Sequence, residues 1–403
     1  MKRRFQYILT AIVCLNVAAV AHARIDIYDM ERIDKAREAY KAGDARVVRV
    51  IDGLKAMAET FLVTEDPYVT AKKVLPPSGD PRDYMTMSPY WWPDPDKADG
   101  LPYIRRDGER NPEVNNYPER ESAGLMGTMA EDLGLLYYFT GEKKYAEKCA
   151  SVVRTWFLDP EKGMNPNMTY GQSVPGMKNI RGTGIVEARK ILYAFGGINL
   201  IRGSEFWTEN DDRELEEWAR AFCYWLDHSI QGRKENLQAN NHGYWYQAAR
   251  LLCMSMYEKP EKIAWTTEHQ IAPWLDIQIY EDGCQPKELV RTRSLHYSTF
   301  ALEALICIAR IARNAGYDLW KYTSINDRSM ELAVDFMLPY YLDPAQWPYR
   351  QIVPFERSAA AGVLYDAGLA LDREDLLKAA KEIGYKQSTF GIESLYYFEI
   401  TQQ

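Results

Sequence analysis

Residues 121–157 read ESAGLMGTMAEDLGLLYYFTGEKKYAEKCASVVRTWF, which is two apolar-rich segments separated by one glycine. Their apolar residues recur at steps of three and four, the spacing that places them on one face of a helix. Gly141 between the segments is typical of a residue that ends one helix before the next begins. The stretch therefore predicts a helical hairpin with helices over 121–140 and 142–157.

The same periodicity extends in both directions along the chain. It predicts further helices over 30–44, 46–62, 184–201, 211–230, 242–257, 261–278, 297–315, 322–341, 359–371 and 373–383. Strand signals are few, and no repeat of fixed period is present, which disfavours a TPR-type array. Roughly twelve to fourteen helices in pairs predict an all-α fold, either an α/α toroid of about six to seven hairpins or a helical solenoid. We take the toroid, with long irregular loops over its cleft, as the prediction.

Two segments interrupt the helical pattern. Residues 64–120 and 158–183 are rich in Pro, Gly, Asp and aromatic residues. Irregular segments of this length within a domain are usually functional loops, although they can also be connecting scaffold. Their density of Tyr, Trp, Arg and Asn favours a functional role.

The N-terminus has the pattern of a secretory signal. Three basic residues precede an apolar run over 7–20, and Ala21-His22-Ala23 supplies small residues for cleavage. We expect a signal peptide over 1–23, a single domain over 24–403, and export to the periplasm or the extracellular space. Lipidation at Cys14 is disfavoured by the bulky Val13, and no later stretch is expected to span a membrane. The five remaining cysteines are expected to be buried thiols, with one disulfide left open.

The charge balance excludes some partners. The chain has 49 Lys and Arg against 57 Asp and Glu, a net charge of −8. Removal of Lys2, Arg3 and Arg4 with the signal peptide makes it −11. Such a chain is not expected to bind nucleic acid or anionic membranes over a general basic surface. A local basic groove stays compatible with it, and the 28 Tyr and 11 Trp suit stacking on sugar rings.

The first candidate site motif is NNHGYWY at 240–246. Asn240, Asn241 and His242 fall at the predicted start of a helix, with Tyr244 and Tyr246 just after them. The simplest interpretation is a capping Asn and a packed His. A histidine beside two amides and three aromatic residues also fits a binding or catalytic site, in which Asn240, Tyr244 and Tyr246 would bind substrate.

The second candidate motif is DGCQPKELVRTRSLHYSTFAL at 282–302. It brings Arg291 and Arg293 close to His296 and Tyr297. Arginine can bind a carboxylate through two hydrogen bonds, and it can lower the pKa of a nearby tyrosine. The alternative is the start of a helix with a solvated charged face.

Two further groups lie in the irregular segments. Aromatic and basic residues that could hold an acidic sugar chain are Tyr90, Trp91, Trp92, Tyr103, Arg105, Arg106 and Arg110. Polar residues that could bind hydroxyls or carboxylates are Asn165, Asn167, Tyr170, Gln172, Lys178 and Arg181. No metal-binding, nucleotide-binding or serine-hydrolase motif is present, so we expect no metal and no cofactor.

Taken in order, the segments SPYWWPDP, GLPYIRRDG, MNPN, NNHGYWY and ELVRTRSLHYSTFAL resemble the alginate lyase superfamily, specifically the helical-toroid polysaccharide lyases of families five and thirty-eight. The resemblance covers roughly residues 60–350. It implies an α/α toroid with a long cleft that cleaves a uronic-acid polymer, most of all mannuronate-containing alginate, by β-elimination.

The family's catalytic set is an Asn-His pair, an Arg and a Tyr, and it maps here to Asn241, His242, Arg291 and Tyr297. The family-five position for the arginine is Val290 in this chain, so Arg291 is taken and Arg293 kept as the alternative. The resemblance implies that Asn241, His242 and Arg291 neutralise the substrate carboxylate. Tyr297 would act as base and acid on mannuronate, and His242 as base on guluronate. His296 is expected to orient Tyr297.

Two other functions are compatible with the pattern. A glycoside hydrolase on an α/α barrel would need a pair of carboxylates, and Asp94, Asp107, Glu113 and Glu288 do not stand out as one. A non-catalytic glycan-binding protein of the cell surface would also be helical, exported and rich in aromatic residues. Detection of an unsaturated product distinguishes a lyase from both.

Overall fold

Helices make up most of the regular structure in the computed structural model, which describes residues 25–178, 181–386 and 391–401. The predicted signal peptide, 1–23, lies outside these residues. The α-helices are α1 (Met30–Lys41), α2 (Ala45–Val63), α3 (Glu119–Thr140), α4 (Lys143–Val153), α5 (Ala188–Leu192), α6 (Ala194–Ile201), α7 (Glu209–His228), α8 (Ile230–Asn236), α9 (Asn241–Met254), α10 (Pro260–Thr266), α11 (Leu275–Gln278), α12 (Pro286–Leu289), α13 (Ser294–Asn314), α14 (Met330–Leu342), α15 (Arg357–Leu371), α16 (Glu374–Ile383) and α17 (Ile392–Tyr396). The predicted all-α class is confirmed.

Neighbouring helices pack as hairpins and as pairs around an α/α toroid, as predicted. The hairpin of α3 and α4 ends its first helix at Gly141, whose φ of 73° is the left-handed conformation that glycine adopts without strain. Helix α3 also packs closely on α6, because a Cβ on Gly134 would lie 2.8 Å from the Cα of Gly197. Glycines at both positions let the two backbones approach closely.

Some helix boundaries differ from the predicted ones for local reasons. The helix predicted over 211–230 begins two residues earlier, at Glu209 of α7, because Thr208 and Asp211 form a reciprocal capping box. The helix predicted from residue 322 begins instead at Met330, where the Ser329 side chain accepts from the Leu332 backbone N–H. Pro273 follows a π-helical turn at Thr267–Ile271, and the helix predicted over 261–278 is divided there.

Four short strands lie in the two irregular segments. They are β1 (Met85–Met87), β2 (Trp91–Trp92), β3 (Ile104–Arg105) and β4 (Tyr170–Ser173). Strands β1 and β4 pair in parallel, with Met85 opposite Tyr170, and so join the two irregular segments. Strands β2 and β3 form an antiparallel pair with Trp91 opposite Arg105. The described parts of residues 64–120 and 158–183, which were predicted as loops, therefore form an ordered layer beside the helices, here called the wall.

The buried apolar side chains form one cluster that runs from Ile25 to Ile400. The five cysteines of the described chain are buried free thiols, so none of them forms the one disulfide that the sequence left possible. One described helix, α13, has the length and apolar composition of a membrane span, but 78% of that stretch is buried inside the protein. This burial is what a core helix requires.

Candidate active site

A cleft of about 380 Å³ lies between the wall of irregular segments and the helices α5, α9 and α13. It brings together most of the residues that the two central motifs single out. The lining consists of Ser88, Pro89, Tyr90, Trp91, Arg105, Arg120, Gln172, Arg181, Thr183, Val186, Glu187, Arg189, Lys190, Gln238, Asn240, Asn241, His242, Arg291, His296, Tyr297 and Phe300.

Positive charge predominates in this lining. Its cations are Arg105, Arg120, Arg181, Arg189, Lys190 and Arg291, and its acidic side chain is Glu187. The chain as a whole is acidic, so the positive charge is local to the cleft. Such a cleft attracts a polyanion and holds it by desolvated charge pairs.

The Asn-Asn-His motif forms the first turn of α9. Asn240 is the N-cap, and its side chain accepts from the His242 backbone N–H at 3.0 Å. The turn packs so closely on the preceding loop that a Cβ on Gly243 would lie 2.0 Å from the Gln238 carbonyl oxygen. Glycine at this position is therefore what lets the motif approach the cleft. The capping interpretation is correct for Asn240, while Asn241 and His242 both face the cleft.

Asn241 is held by a buried carboxylate. Its backbone N–H and its side-chain Nδ2 both donate to Glu288, with Nδ2 at 2.9 Å from Oε1 and 3.0 Å from Oε2. Both groups are about 1% exposed. Burial raises the pKa of Glu288, and the hydrogen bonds from Asn241 oppose that rise. Glu288 therefore fixes Asn241 instead of serving as one of a hydrolytic carboxylate pair.

His242 is oriented in a similar way by Glu235 on α8. The distance from its Nδ1 to Glu235 Oε1 is 2.6 Å, and Glu235 is buried. A carboxylate at Nδ1 selects the tautomer with hydrogen on that nitrogen, which leaves Nε2 as the nitrogen for the cleft. The imidazole is thus held in one orientation and can accept or donate a proton at Nε2.

Tyr297 lies in the first turn of α13, at the floor of the cleft. Its hydroxyl donates to the Tyr90 hydroxyl at 3.0 Å, which links α13 to the wall. The His296 ring contacts Tyr297 edge-on at 5.7 Å between ring centres, as expected for an orienting neighbour. The pKa of His296 is lowered by burial and by Arg293, Arg189 and Arg291, which favours the neutral ring.

The Arg291 guanidinium lies against the face of the Tyr297 ring, 3.6 Å from the ring centre. It also binds Asp107 through Nε at 3.1 Å and Nη2 at 2.9 Å. Burial raises the pKa of Tyr297 above its usual value, while Arg291 lowers it and Tyr90 raises it further. The expected acidifying effect of Arg291 is therefore present, but in the free protein burial outweighs it.

The two candidate arginines differ in position. Arg291 lines the cleft and contacts Tyr297. Arg293 does not belong to the lining, and its backbone forms an isolated bridge with Gln351 just before α13. The geometry therefore favours Arg291 as the arginine that meets a substrate carboxylate.

Several predicted binding residues do line the cleft, namely Tyr90, Trp91, Arg105, Gln172, Arg181 and Asn240. Trp91 lies under the Arg181 guanidinium, 5.0 Å from the ring centre. Gln172 has a positive φ of 49°, which is strained for a residue with a side chain. Its side chain donates to Glu187 at 3.2 Å. The strained backbone of Gln172 therefore lies at the point where its side chain reaches the cleft.

Other predicted binding residues serve the scaffold instead. Tyr244 and Tyr246 are buried core residues on α9, at 1% and 2% exposure. The remaining residues outside the lining are Trp92, Tyr103, Arg106, Arg110, Asn165, Asn167, Tyr170 and Lys178. Several of them stabilise the wall: Tyr103 donates to Glu113 at 2.6 Å, Asn165 and Asn167 donate to Asp83, and Arg106 stacks on Trp92. Short-range polar bonding inside the wall explains why these side chains do not reach the cleft.

Sequence reasoning missed part of the lining. It did not single out Arg120, Thr183, Glu187, Arg189, Lys190, Gln238 or Phe300, nor Glu235 behind His242. Glu187, Arg189 and Lys190 fall in a predicted helix, where charged residues normally face solvent, and Arg120, Thr183, Glu235 and Gln238 lie outside the predicted helices. The seven-residue spacing of Glu235 and His242 was the one local signal that could have indicated their contact.

Comparison with known proteins shows which family the chain is similar to. The family model described as alginate lyase matches residues 68–347. A crystal structure of an alginate lyase from Bacteroides ovatus is 32% identical, with a TM-score of 0.86 over 93% of this chain and 98% of that one. Alginate lyase A1-III from Sphingomonas species A1 is 18% identical, with a TM-score of 0.55 over 94% and 97% of the two chains, and so shares the fold.

A histidine-to-alanine variant of A1-III in complex with a tetrasaccharide is 17% identical, with a TM-score of 0.51 over 80% of this chain and 88% of that one. No curated protein matches the chain.

Proposed function

Since the chain belongs to the alginate lyase family and is a polysaccharide lyase, we propose that it cleaves a uronic-acid polymer by β-elimination. Alginate that contains mannuronate is the foremost substrate. The observation that carries the proposal is the contact of Arg291 with the Tyr297 ring in a cationic cleft that also holds His242. The matched structures are alginate lyases, one of them in complex with a tetrasaccharide, and they support this substrate class.

The first requirement of the reaction is to neutralise the carboxylate next to C5, because only then does the C5 proton become acidic. Arg291 is suited to this role, since Asp107 occupies its Nε and Nη2 and leaves Nη1 for a ligand. His242 can donate from Nε2 when protonated. Asn241 carries a second Nδ2 hydrogen beyond the one directed at Glu288. These fixed donors would stabilise the enolate-like charge as it develops.

The second requirement is a base for the C5 proton and an acid for the C4 oxygen. In mannuronate both lie on one face of the sugar, so Tyr297 as phenolate can take the proton and return it to the departing oxygen. The C4–O bond breaks as the C4–C5 double bond forms. In guluronate the two lie on opposite faces, and His242 then serves as base with Tyr297 as acid.

Hydrolysis is not supported by the cleft. Inverting and retaining glycosidases both need two carboxyl groups across the scissile bond. The described lining holds one carboxylate, Glu187, and it already accepts from Tyr84 and Thr86. Asp107, Glu113 and Glu288 are likewise engaged with Arg291, Tyr103 and Asn241.

We further propose, from the sequence of residues 1–23, that the enzyme is exported.

The proposal is tested with Tyr297→Phe on mannuronate-rich polymer. We expect loss of the ultraviolet absorbance of the unsaturated product, while equilibrium binding of an oligouronate is kept. Tyr280→Phe, at an exposed tyrosine outside the cleft, is the matched control and should retain full activity. Near-normal turnover by Tyr297→Phe would overturn the assignment.

A further inference from the structure

A second cavity, of about 420 Å³, opens on the protein surface at the end of α9 that lies away from the cleft. Helix α9 begins at Asn241 in the cleft and ends at Met254, which is a rise of about 20 Å. The cavity lies just beyond that end, between α7 and the start of α10. Its lining, here called the distal pocket, consists of Arg220, Tyr257, Glu258, Lys259, Glu261 and Lys262. The distal pocket shares no residue with the lining of the cleft, and its volume is typical of a ligand-binding site.

Two cations of the distal pocket are held in place by aromatic rings. The Arg220 guanidinium lies over Tyr257, 4.1 Å from the ring centre, and its Nη2 donates to the Tyr257 carbonyl oxygen at 3.2 Å. Lys262 Nζ lies 4.5 Å from the ring centre of Trp265. A ring orients a cation from its face and leaves most of the N–H donors of that cation available. Both side chains are therefore positioned and can still bind an anionic group.

The carboxylates of the distal pocket, Glu258 and Glu261, add hydrogen-bond acceptors to these donors. With Arg220, Lys259 and Lys262 the lining has three cations and two carboxylates, so it is positive overall and offers both kinds of group. An acidic sugar needs both, because its carboxylate accepts hydrogen bonds and its hydroxyls donate them. A simple anion that only accepts would be repelled by the two glutamates. The composition therefore favours a uronate sugar over an inorganic anion.

An exposed aromatic ring flanks the distal pocket on α7. Tyr224 follows Arg220 by four residues of this helix, so the two side chains are neighbours on one face. The His228 ring stacks on Tyr224, with 4.0 Å between the ring centres, and Tyr224 is nevertheless 66% exposed. The stack orients the tyrosine and leaves most of it accessible, as stacking on a sugar ring requires.

We propose that the distal pocket and Tyr224 form a second, non-catalytic binding site for the polyuronate. The identity of this ligand rests on the proposed function. A polymer that occupies this site and the cleft together is held at two points, which raises its effective concentration at the cleft. A chain too short to span the roughly 20 Å between the two sites gains nothing. The distal pocket therefore favours long polymer over short oligosaccharides, and it acts on KM and not on kcat.

The test compares long polyuronate with a uronate trisaccharide, which is shorter than that separation. For Arg220→Gln combined with Lys262→Gln we expect KM on the polymer to rise about tenfold with kcat unchanged. Tyr224→Ala should raise the polymer KM about threefold through loss of stacking. Turnover of the trisaccharide by all of these variants should stay within about twofold of wild type, because it binds in the cleft alone.

Two variants serve as matched controls. Lys378→Gln removes an exposed charge on α16, and Tyr280→Ala removes an exposed tyrosine that lies outside both linings. Both should behave as wild type on the polymer and on the trisaccharide.

Binding is also measured without catalysis, as the retardation of each protein in a native gel that contains the polymer, relative to a gel without it. We expect less retardation of Arg220→Gln/Lys262→Gln than of wild type. Unchanged retardation and polymer KM, or an equal loss on polymer and trisaccharide, would overturn the inference. A wild-type protein that is retarded but forms no unsaturated product refutes the lyase proposal alone, so the two failures are distinguishable.

Discussion

At the scale of single residues, each catalytic candidate that meets the substrate carboxylate is held from behind by an acid. The pairs are Asn241 with Glu288, His242 with Glu235 and Arg291 with Asp107. A donor whose own position is fixed loses little entropy when substrate binds, and it needs little reorganisation during the reaction. These three carboxylates are therefore positioning residues, and they do not touch the sugar in the proposed mechanism.

Replacement of Glu235 tests this positioning role. Glu235→Gln keeps the shape of the side chain but removes the charge that selects the His242 tautomer. We expect kcat on guluronate-rich polymer to fall by about 10- to 100-fold, because His242 is the proposed base there. On mannuronate-rich polymer, where Tyr297 is the base, the fall should be smaller.

Initial rates on the two polymers provide the measurement. Glu281→Gln, at an exposed glutamate, is the matched control and should behave as wild type. An equal loss of activity on both polymers would indicate a structural role for Glu235 and contradict the prediction.

The residue scale also shows what sequence could predict. Asn241 with His242, and Arg291 with Tyr297, are near neighbours along the chain, so local motifs contained them. Asp107 lies 184 residues from Arg291, and no spacing rule links the two. Tyr244 and Tyr246 were wrongly expected in the cleft, because aromatic residues next to a motif look the same whether they face a ligand or the core.

At the scale of elements, helix periodicity predicted the hairpins because one face of each helix must be buried. Positions where backbones touch were not predictable, since a glycine in a helix gives no sign of its neighbour. Gly243 in the first turn of α9 is such a position. It determines how near Asn241 and His242 come to the cleft.

The variant Gly243→Ala should therefore harm both stability and activity. Its Cβ would lie 2.0 Å from the Gln238 carbonyl oxygen, so α9 must shift. We expect the free energy of unfolding to fall by about 1–3 kcal/mol, with a loss of lyase activity larger than the fraction unfolded explains. Denaturant titration and initial rates measure the two effects.

Gly124→Ala in α3 is the control for this prediction. Its Cβ would meet Lys190 Nζ at 3.5 Å, an ordinary contact. A helical Gly-to-Ala change without strain stabilises by about 0.4–1 kcal/mol. Unchanged stability of Gly243→Ala would show that the first turn of α9 can move freely.

At the scale of the whole molecule, the interior of the toroid holds carboxyl groups whose ionisation opposes folding. The pKa of Glu303 on α13 is raised to about 7, mainly by burial and also by Glu393, while Arg189 opposes the rise. Glu131 on α3 has its pKa raised to about 7, again mainly by burial. In the unfolded chain both groups ionise near their ordinary values.

The stability of the enzyme should consequently fall as pH rises. Between about pH 4.5 and 7 the folded state holds protons that the unfolded state has released, so the free energy of unfolding decreases with pH. We expect the wild-type Tm to decline from about pH 5 to about 8, and Glu303→Gln to decline less because it has no proton to lose. Coincident pH slopes for the two proteins would contradict the prediction, and Glu382→Gln on the exposed end of α16 should follow wild type.

The parallel pairing of β1 with β4 has a mechanical consequence for the cleft. The backbone N–H groups of Ser88, Tyr103 and Asn165 donate to the backbone carbonyl oxygens of Ser173, Pro175 and Arg82, respectively. These hydrogen bonds join the two halves of the wall. Neither half can swing outward alone without breaking these bonds. The gap between the wall and the helices therefore widens only if both halves of the wall move together.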